Sequence, residues 1–303
     1  MPRAAGSVIA RVTVASVTRL TPSFTRIEFG SPALAEFGVQ KAYFDQRISL
    51  LFPPPGGTVP DLESASGNWY QEWRELPDAE RGSLRTYSVR DVLGVGAGTR
   101  VVVDFVLHGS TGPASEWAGR ARVGDELVLV GPRRGEKAAG IEFASGHAET
   151  LLIAGDETAV PAISRILADL GADARGHVFL EVPAESDVLP LVVPAEMGVH
   201  WLARDGAEHG TKLVASITAH LGHRLAAPAV VSTIHPPIWE TPTYSSSGET
   251  SAGTAGVPGL YAWIAGEAAT VTALRRLLVG GVGLARDQVA FMGYWRRGVS
   301  AGG

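Results

Sequence analysis

Two hydrophobic patterns divide the chain near residue 148. Before this point, apolar and polar residues alternate in short runs separated by Gly and Pro, which is typical of strands with one buried face. The clearest runs lie at 8–14, 24–29, 47–52, 101–107 and 126–132. A single short helix, 114–120, interrupts them. Short strands between Gly and Pro turns predict a closed antiparallel β-barrel.

After residue 148, continuous apolar runs alternate with amphipathic helices. Leu151 to Ala154 is apolar throughout, as expected of a strand buried on both faces, and apolar residues then recur at helical spacing from Ala159 to Leu170. Further strands and helices are predicted at 177–182, 199–203, 211–221, 260–265, 268–279 and 288–294. This alternation predicts a doubly wound parallel sheet, with 236–258 as a mobile loop on its edge. We therefore expect two domains, 1–147 and 148–303.

Composition excludes several kinds of protein. A chain of 303 residues is long for a single core, which supports two domains. Its net charge of -5 argues against a nucleic-acid binder. The sequence has no cysteine, so disulfides, thiolate metal sites and cysteine-ligated iron–sulfur clusters are excluded. Redox chemistry would require a bound organic cofactor.

Targeting and metal-binding patterns add little. Residues 1–7 lack the apolar core of an export signal, and no apolar run approaches the roughly 20 residues that span a bilayer. We therefore expect a cytoplasmic protein without an integral membrane segment. The eight histidines show no metal-ligand spacing beyond His220-x-x-His223, which we interpret as helix surface.

The stretch from Arg85 to Trp117 carries the most specific chemistry. In an extended chain Arg85 and Tyr87 share one face while Ser88 points to the other. A guanidinium can fork onto a phosphate, a phenol ring can lie against a planar heterocycle, and the helix start after Gly112 can seat a pyrophosphate. Together they suggest a dinucleotide that carries a flavin. The alternative is a solvated arginine, a packed tyrosine and an ordinary helix start, and for Trp117 we favour a place in the core.

Several motifs together resemble a known family. They are Arg85-Thr86-Tyr87-Ser88, Gly112-Pro113-Ala114-Ser115-Glu116-Trp117, Gly155-Asp156-Glu157-Thr158-Ala159, Trp263-Ile264-Ala265-Gly266-Glu267 and Gly293-Tyr294-Trp295-Arg296. In this order they resemble the siderophore-interacting protein family, FAD-dependent ferric-siderophore reductases related to ferredoxin-NADP reductases. The resemblance implies an FAD-binding barrel followed by an NAD(P)-binding α/β domain.

The resemblance also implies site residues. Tyr87 and Ser88 would contact the isoalloxazine, Arg85 the FAD phosphate, and His108 and Gly109 would lie beside the flavin. The full set of expected cofactor contacts is Arg85, Thr86, Tyr87, Ser88, His108, Gly109, Gly112, Ala114, Ser115, Asp156, Glu157, Thr158, Ala159, Arg204, Gly266, Glu267, Tyr294 and Trp295.

For four of the residues in the second domain, alternatives remain open. The carboxylates of Asp156 and Glu157 could bond to ribose or carboxamide groups, while Thr158 could be a helix cap. Arg204 could bind the 2′-phosphate of NADPH, or it could be a surface arginine paired to Asp205 or Glu208.

The implied function is reduction of ferric siderophores by NADPH or NADH through FAD. The substrate pocket is expected over the flavin at the domain boundary, with Arg47, Arg296 and Arg297 as candidate contacts to an anionic siderophore. Iron would enter only as part of the substrate. Two alternatives are a module that binds ferric siderophore or flavin without turnover, and a general flavin reductase with ferredoxin as electron donor.

Overall fold

A computed structural model describes residues 6–62, 68–107, 112–137, 139–222, 238–242, 244–245 and 257–298. The chain divides into two compact units, the first ending at Ile141 and the second beginning at Glu142. Across the described residues, no helix has both the length and the apolar character needed to cross a membrane.

The first unit is built on one antiparallel sheet. Its strands are β1 (Ser7–Arg19), β2 (Phe24–Gly30), β3 (Arg47–Phe52), β4 (Ser83–Ser88), β5 (Asp91–Leu93), β6 (Arg100–Val106) and β7 (Glu126–Pro132). Its helices are α1 (Trp69–Glu75), α2 (Asp78–Arg81) and α3 (Pro113–Arg120), with 3-10 turns at Pro32–Glu36 and Gly96–Gly98. The strand order is β4-β3-β7-β1-β2-β6-β5. β4 and β5 are the edge strands of this order and do not pair with each other among the described strands, so the sheet is an antiparallel half-barrel. The predicted antiparallel β-barrel class of the first domain is confirmed in this half-barrel form.

Alternation along the strands produces the core of the first unit. In β1, Val8, Ala10, Val12 and Val14 are buried, whereas the residues between them are partly exposed. Helix α3 closes one side of this core, since Trp117 is buried and its ring lies 5.3 Å from that of Phe52. Trp117 is therefore a core residue, as the sequence favoured.

The second unit has a mixed sheet. Its strands are β8 (Thr150–Gly155), β9 (Arg175–Val182), β10 (Glu196–Ala203), β11 (Trp239–Thr241), β12 (Tyr244–Ser245), β13 (Leu260–Glu267) and β14 (Val289–Trp295). Its helices are α4 (Val160–Asp169), α5 (Thr211–Leu221) and α6 (Ala268–Arg275), which a π-helical segment, Arg276–Val282, continues. Short 3-10 turns lie at Glu185–Asp187 and Arg286–Gln288.

Five strands of this sheet are parallel, in the order β10-β9-β8-β13-β14, and β11 and β12 extend it in the antiparallel sense. The loop predicted over 236–258 was therefore wrong at Trp239–Thr241, which pairs with β14, and at Tyr244–Ser245, which pairs with Trp239–Thr241. Much of that interval, including 246–256, lies outside the described residues. Between β8 and β13 the chain reverses the direction in which strands are added, which creates a switch point where such sheets usually bind ligands.

Candidate functional site

Strand β4 places Arg85 and Tyr87 on the core face of the first sheet. Arg85 pairs with Leu50 and Tyr87 with Ile48 across the β3–β4 ladder, and both partners are buried core residues. The Tyr87 ring is half-buried and lies 4.5 Å from the ring of Phe105 at a tilt of 48°. Burial raises the pKa of Tyr87, so this residue is a neutral phenol at physiological pH. One side of the ring is thus fixed by packing.

Arg85 lies half-buried without a carboxylate partner among the described residues. Its side chain donates to the carbonyl oxygen of Leu84 at 2.7 Å. Burial lowers the pKa of Arg85, and the nearby Tyr87 opposes this change. A partly desolvated guanidinium that lacks a protein anion is a favourable place for a phosphate.

Helix α3 begins next to this strand, since it packs against β3, β4 and β6. Gly112 is its N-cap and supplies no side-chain hydrogen bond, while Pro113 occupies the first helical turn. Among the described residues, and apart from its own chain neighbours, no atom lies within 4 Å of the position that a Gly112 Cβ would occupy. The free amides at the start of α3 and the Arg85 guanidinium are hydrogen-bond donors to anions, and both belong to the first unit. These donors fit the diphosphate of FAD.

In the second unit, the carboxyl ends of the strands bring together five buried charged side chains and one half-buried indole. We call this group the switch-point cluster: Asp156, Glu157, Glu181, Arg204, Glu267 and Trp295. Asp156 follows β8 and accepts hydrogen bonds from the Thr158 amide (2.9 Å) and hydroxyl (2.5 Å). It also accepts from the Glu267 amide at 2.6 Å and from the Trp295 indole nitrogen at 2.9 Å. This one carboxylate thus links the ends of β8, β13 and β14.

Glu157 and Arg204 form a forked ion pair inside the cluster. The two terminal guanidinium nitrogens of Arg204 lie 2.6 and 2.7 Å from the Glu157 carboxylate oxygens. Glu181 lies behind this pair, 3.4 Å from one nitrogen, and accepts from the amides of Gly210 and Leu213 at the start of α5. All three charged side chains are buried. The pair connects the end of β8 to the end of β10.

Burial and neighbouring charge set the protonation preferences of the cluster. Burial, together with the adjacent Glu157 carboxylate, raises the pKa of Asp156, although hydrogen bonds from Thr158 and Trp295 oppose the rise. Burial alone would lower the pKa of Arg204, but the hydrogen bonds and charge of Glu157 raise it. Arg204 is therefore a permanent cation held between acids.

Gly266 lets β13 approach Asp156. Its φ is +140°, and a Cβ at this position would lie 2.6 Å from the Asp156 carboxylate. Next to it, Glu267 caps α6 by accepting from the amides of Ala269 and Thr270 at 2.7 and 3.0 Å. These two residues shape the switch point through the backbone and the helix cap.

Two family models match the chain in order. A siderophore-interacting FAD-binding domain matches residues 13–136, and a siderophore-interacting protein domain matches residues 148–298. The ferric vibriobactin reductase ViuB of Vibrio cholerae is 32% identical over 254 residues, covering 83% of this chain and 77% of that protein. The chain belongs to the siderophore-interacting protein family.

Two further comparisons agree with this membership. An NADPH-dependent ferric-chelate reductase of Escherichia coli is 31% identical over 160 residues, which are 52% of this chain and 56% of that protein. The crystal structure of a siderophore utilization protein from T. fusca matches with a TM-score of 0.71 at 26% identity, over 97% of this chain and 95% of that one. The two-domain fold, with an FAD-binding and then an NAD(P)-binding domain, is therefore the fold of this family.

The residues that the sequence predicted to contact the cofactors lie in two groups, one in each unit. Arg85, Thr86, Tyr87 and Ser88 lie on β4, with Gly112, Ala114 and Ser115 at the start of the adjacent α3. Asp156, Glu157, Thr158, Ala159, Arg204, Gly266, Glu267 and Trp295 lie at the carboxyl edge of the second sheet, with Tyr294 at the end of β14. His108 and Gly109 lie outside the described residues.

Three of these residues have surroundings that the sequence did not indicate. Arg204 pairs with Glu157 and Glu181, not with Asp205 or Glu208, so the surface interpretation was wrong. A 2′-phosphate contact by Arg204 stays a prediction, and it would require exchange of a buried carboxylate. Thr158 donates its hydroxyl to Asp156, whereas Ala159 is the N-cap of α4, so the predicted cap was wrong.

The candidate substrate arginines are partly exposed. Arg47 begins β3 in the first unit and lies opposite Ser88 in the ladder. In the second unit Arg296 is half-buried and Arg297 is exposed, directly after β14. Tyr294 stacks on Trp239 with ring centroids 6.1 Å apart. Substrate contacts by these residues stay predictions.

Two features were missed from the sequence because they depend on distant contacts. His209, between β10 and α5, packs against Trp295 with ring centroids 5.1 Å apart. His177, His200 and His220 meet on one face of the sheet, and ring nitrogens of the first two lie 3.1 Å apart. Within the described residues, no group of three His, Cys, Asp or Glu side chains is arranged to hold a metal ion.

Proposed function

We propose that this protein is an FAD-dependent reductase that passes electrons from a nicotinamide dinucleotide to ferric siderophores, so that iron leaves as Fe²⁺. The observation that carries this proposal is the order of its two family domains, FAD-binding over 13–136 and siderophore-interacting over 148–298. The names of two relatives, a ferric vibriobactin reductase and an NADPH-dependent ferric-chelate reductase, support the reaction type.

The first unit offers the groups that FAD needs. Arg85 would hold a phosphate, and the amides at the start of α3, at Ala114 and Ser115, would hold the pyrophosphate. The Tyr87 ring and Ser88 hydroxyl would contact the isoalloxazine. Accordingly, we assign FAD binding to residues 1–147 and nicotinamide binding to 148–303.

When bound, FAD supplies the step from a two-electron hydride donor to a one-electron acceptor. One NADPH therefore reduces two ferric complexes, giving NADP⁺, one proton and two Fe²⁺. The protein binds and orients its ligands, and no side chain has to act as an acid or base. Siderophore oxygen ligands hold Fe²⁺ more weakly than Fe³⁺, so reduction releases the metal.

The substrate is an iron complex with a negative charge in many siderophores. Arg47 in the first unit and Arg296 and Arg297 in the second are basic and at least partly accessible. We assign to them the electrostatic attraction of the ferric siderophore. We place the reaction in the cytoplasm, where NAD(P)H is kept reduced.

Anaerobic absorbance spectroscopy tests both electron-transfer steps, from the nicotinamide dinucleotide to FAD and from FAD to the ferric siderophore. Purified protein with bound FAD is mixed with NADPH or NADH. The absorbance band of oxidised FAD in the blue region of the visible spectrum should then disappear. Addition of a ferric tris-catecholate or tris-hydroxamate should restore the band and release Fe²⁺ to a ferrous-specific chelator. A matched sample without nicotinamide serves as the control.

The same experiment separates the alternatives. If the protein is yellow and its flavin is bleached neither by NADPH or NADH nor by a reduced ferredoxin, it is a binding module without turnover. Bleaching by a reduced ferredoxin alone would identify a ferredoxin-linked reductase. Bleaching by NADPH without reoxidation by any ferric siderophore would indicate a general flavin reductase, and each of these results contradicts the proposal.

A further inference from the structure

His209 has a hydrogen-bonding capacity that the described protein does not use. It lies in the segment between β10 and α5, and its ring is half-buried. The Nδ1 atom is buried and has no hydrogen-bond partner within the described residues. A buried polar atom without a hydrogen-bond partner destabilises the folded protein, so its presence in a fold requires a physical explanation.

The ring is held in place by an aromatic contact. It meets Trp295 edge-to-face, with centroids 5.1 Å apart and planes at 78°. The indole nitrogen of Trp295 in turn donates to Asp156 at 2.9 Å. His209 is therefore held next to the switch-point cluster by packing, and no hydrogen bond to Nδ1 within the described residues contributes to its position.

Its charge state follows from its surroundings. Burial and the nearby Arg204 lower the pKa of His209; Arg297 acts in the same direction, whereas Asp156 and Glu181 oppose the change. At neutral pH the imidazole is uncharged and offers one donor and one acceptor. Such a ring is suited to a neutral polar group that can both accept and donate.

We propose that His209 binds the nicotinamide half of the dinucleotide, through its carboxamide. This inference rests on the proposed function, because it deepens the site that accepts the electron donor. Dinucleotides bind outside the carboxyl ends of the strands at the switch point, where His209 lies. A carboxamide has a carbonyl acceptor and an amino donor, so it complements either ring nitrogen. The buried acids Asp156, Glu157 and Glu181 disfavour a pyrophosphate at the same place.

Three substitutions separate packing from hydrogen bonding. His209→Phe keeps a planar ring against Trp295 but removes both nitrogens. His209→Gln places an amide near the position of Nε2, and His209→Asn places one near Nδ1. His147→Phe, at an exposed position of the same unit, is the matched control. If His209→Phe does not fold, as judged by circular dichroism, His209→Leu replaces it, because leucine also lacks both nitrogens and keeps an apolar side chain against Trp295.

The measurement is titration of each holoprotein with NAD⁺, NADP⁺ and ADP-ribose, which lacks nicotinamide. We expect His209→Phe to weaken binding of NAD⁺ and NADP⁺ by about two- to twelvefold, the loss of one neutral hydrogen bond. Binding of ADP-ribose should be unchanged. Either the Gln or the Asn variant should recover most of the loss, which would identify the nitrogen that makes the contact.

Two results would overturn the role of His209 but leave the proposed function intact. They are unchanged NAD⁺ affinity in His209→Phe, and an equal loss for NAD⁺ and ADP-ribose, which would assign His209 to the other half of the ligand or to the fold. Wild-type protein that binds neither NAD⁺ nor NADP⁺ would overturn the inference together with the proposed donor.

Discussion

Two arginines that the sequence assigned to phosphates have opposite surroundings. Arg85 is half-buried, and its described side-chain contact is a backbone carbonyl oxygen. Arg204 is buried and forked on Glu157, with Glu181 close behind. Since a guanidinium already paired to carboxylates gains little from a phosphate, the geometry favours Arg85 as an anion-binding residue and Arg204 as a residue that joins strand ends.

For Arg85→Ala we expect FAD affinity to fall by about one to two decades. The variant removes a charge-assisted contact worth about 1.5–3 kcal/mol. Titration of the flavin-free protein with FAD, followed by tyrosine and tryptophan fluorescence, measures the change. Arg74→Ala, at an exposed position of α1, is the charge-matched control and should bind FAD as wild type does. Equal affinities in wild type and Arg85→Ala would remove Arg85 from the site.

Arg204→Ala should destabilise the second unit by about 3–5 kcal/mol, because it leaves buried carboxylates without their partner. Denaturant unfolding measures this loss. Asp205→Asn is the control, since Asp205 is exposed and its contact with Lys212 spans 3.7 Å at the surface. Asparagine removes the charge and tolerates the left-handed backbone at this position, where φ is +50°.

The Arg204→Ala variant also tests whether Arg204 gives the protein a preference for NADPH over NADH. If Arg204 joins the strands, steady-state rates with NADPH and NADH should fall by the same factor. A loss confined to NADPH would instead assign Arg204 to the 2′-phosphate.

At the scale of secondary-structure elements, the histidine group joins β9, β10 and α5. His177 and His220 have ring centroids 4.1 Å apart, and His200 stacks on Phe179 at 4.5 Å. Burial, together with the neighbouring His177, lowers the pKa of both His200 and His220. Neutral rings can stack and share a hydrogen bond, whereas imidazolium ions at these distances repel each other.

This group predicts acid sensitivity of the second unit. A histidine whose pKa is lower in the folded than in the unfolded protein stabilises the fold fully above about pH 6.5, the unfolded value. That stability is lost as pH falls below this value. We expect the thermal midpoint to decline between pH 7 and pH 5, and His220→Gln should make the decline shallower. His147→Gln should leave it unchanged, and an identical slope in His220→Gln would rule out the group as its source.

Short elements also depend on tertiary partners. Strand β11 is three residues long, and its Trp239 stacks on Tyr294 of β14 while the Gly293 amide donates to Ile238 at 2.8 Å. No alternation can be recognised in three residues, so the sequence predicted a loop there. The long strands and helices had enough residues for their period to be read.

For the whole molecule, each unit has its own hydrophobic core. Because Arg85, Tyr87 and the start of α3 all belong to the first unit, we expect a fragment of residues 1–141 to fold and bind FAD. A saturating excess of about 100 times the Kd should stabilise it by about 2.7 kcal/mol. Calorimetry with and without FAD measures this shift, and a fragment of residues 142–303 is the control. A folded 1–141 fragment whose midpoint FAD does not change would contradict the prediction.

The sequence by itself determined the two-domain order, most strands and helices, and the family, because these depend on local periodicity and on contiguous motifs. Arg85 to Ser88 and Gly112 to Trp117 are such motifs, because the residues of each follow one another directly along the chain. Tertiary structure decided which charges meet: Arg204 lies 47 residues from Glu157, and Trp295 lies 139 residues from Asp156. It likewise left His209 Nδ1 buried and without a partner in the described protein. Pairings across such separations depend on strand order, which residue spacing does not encode.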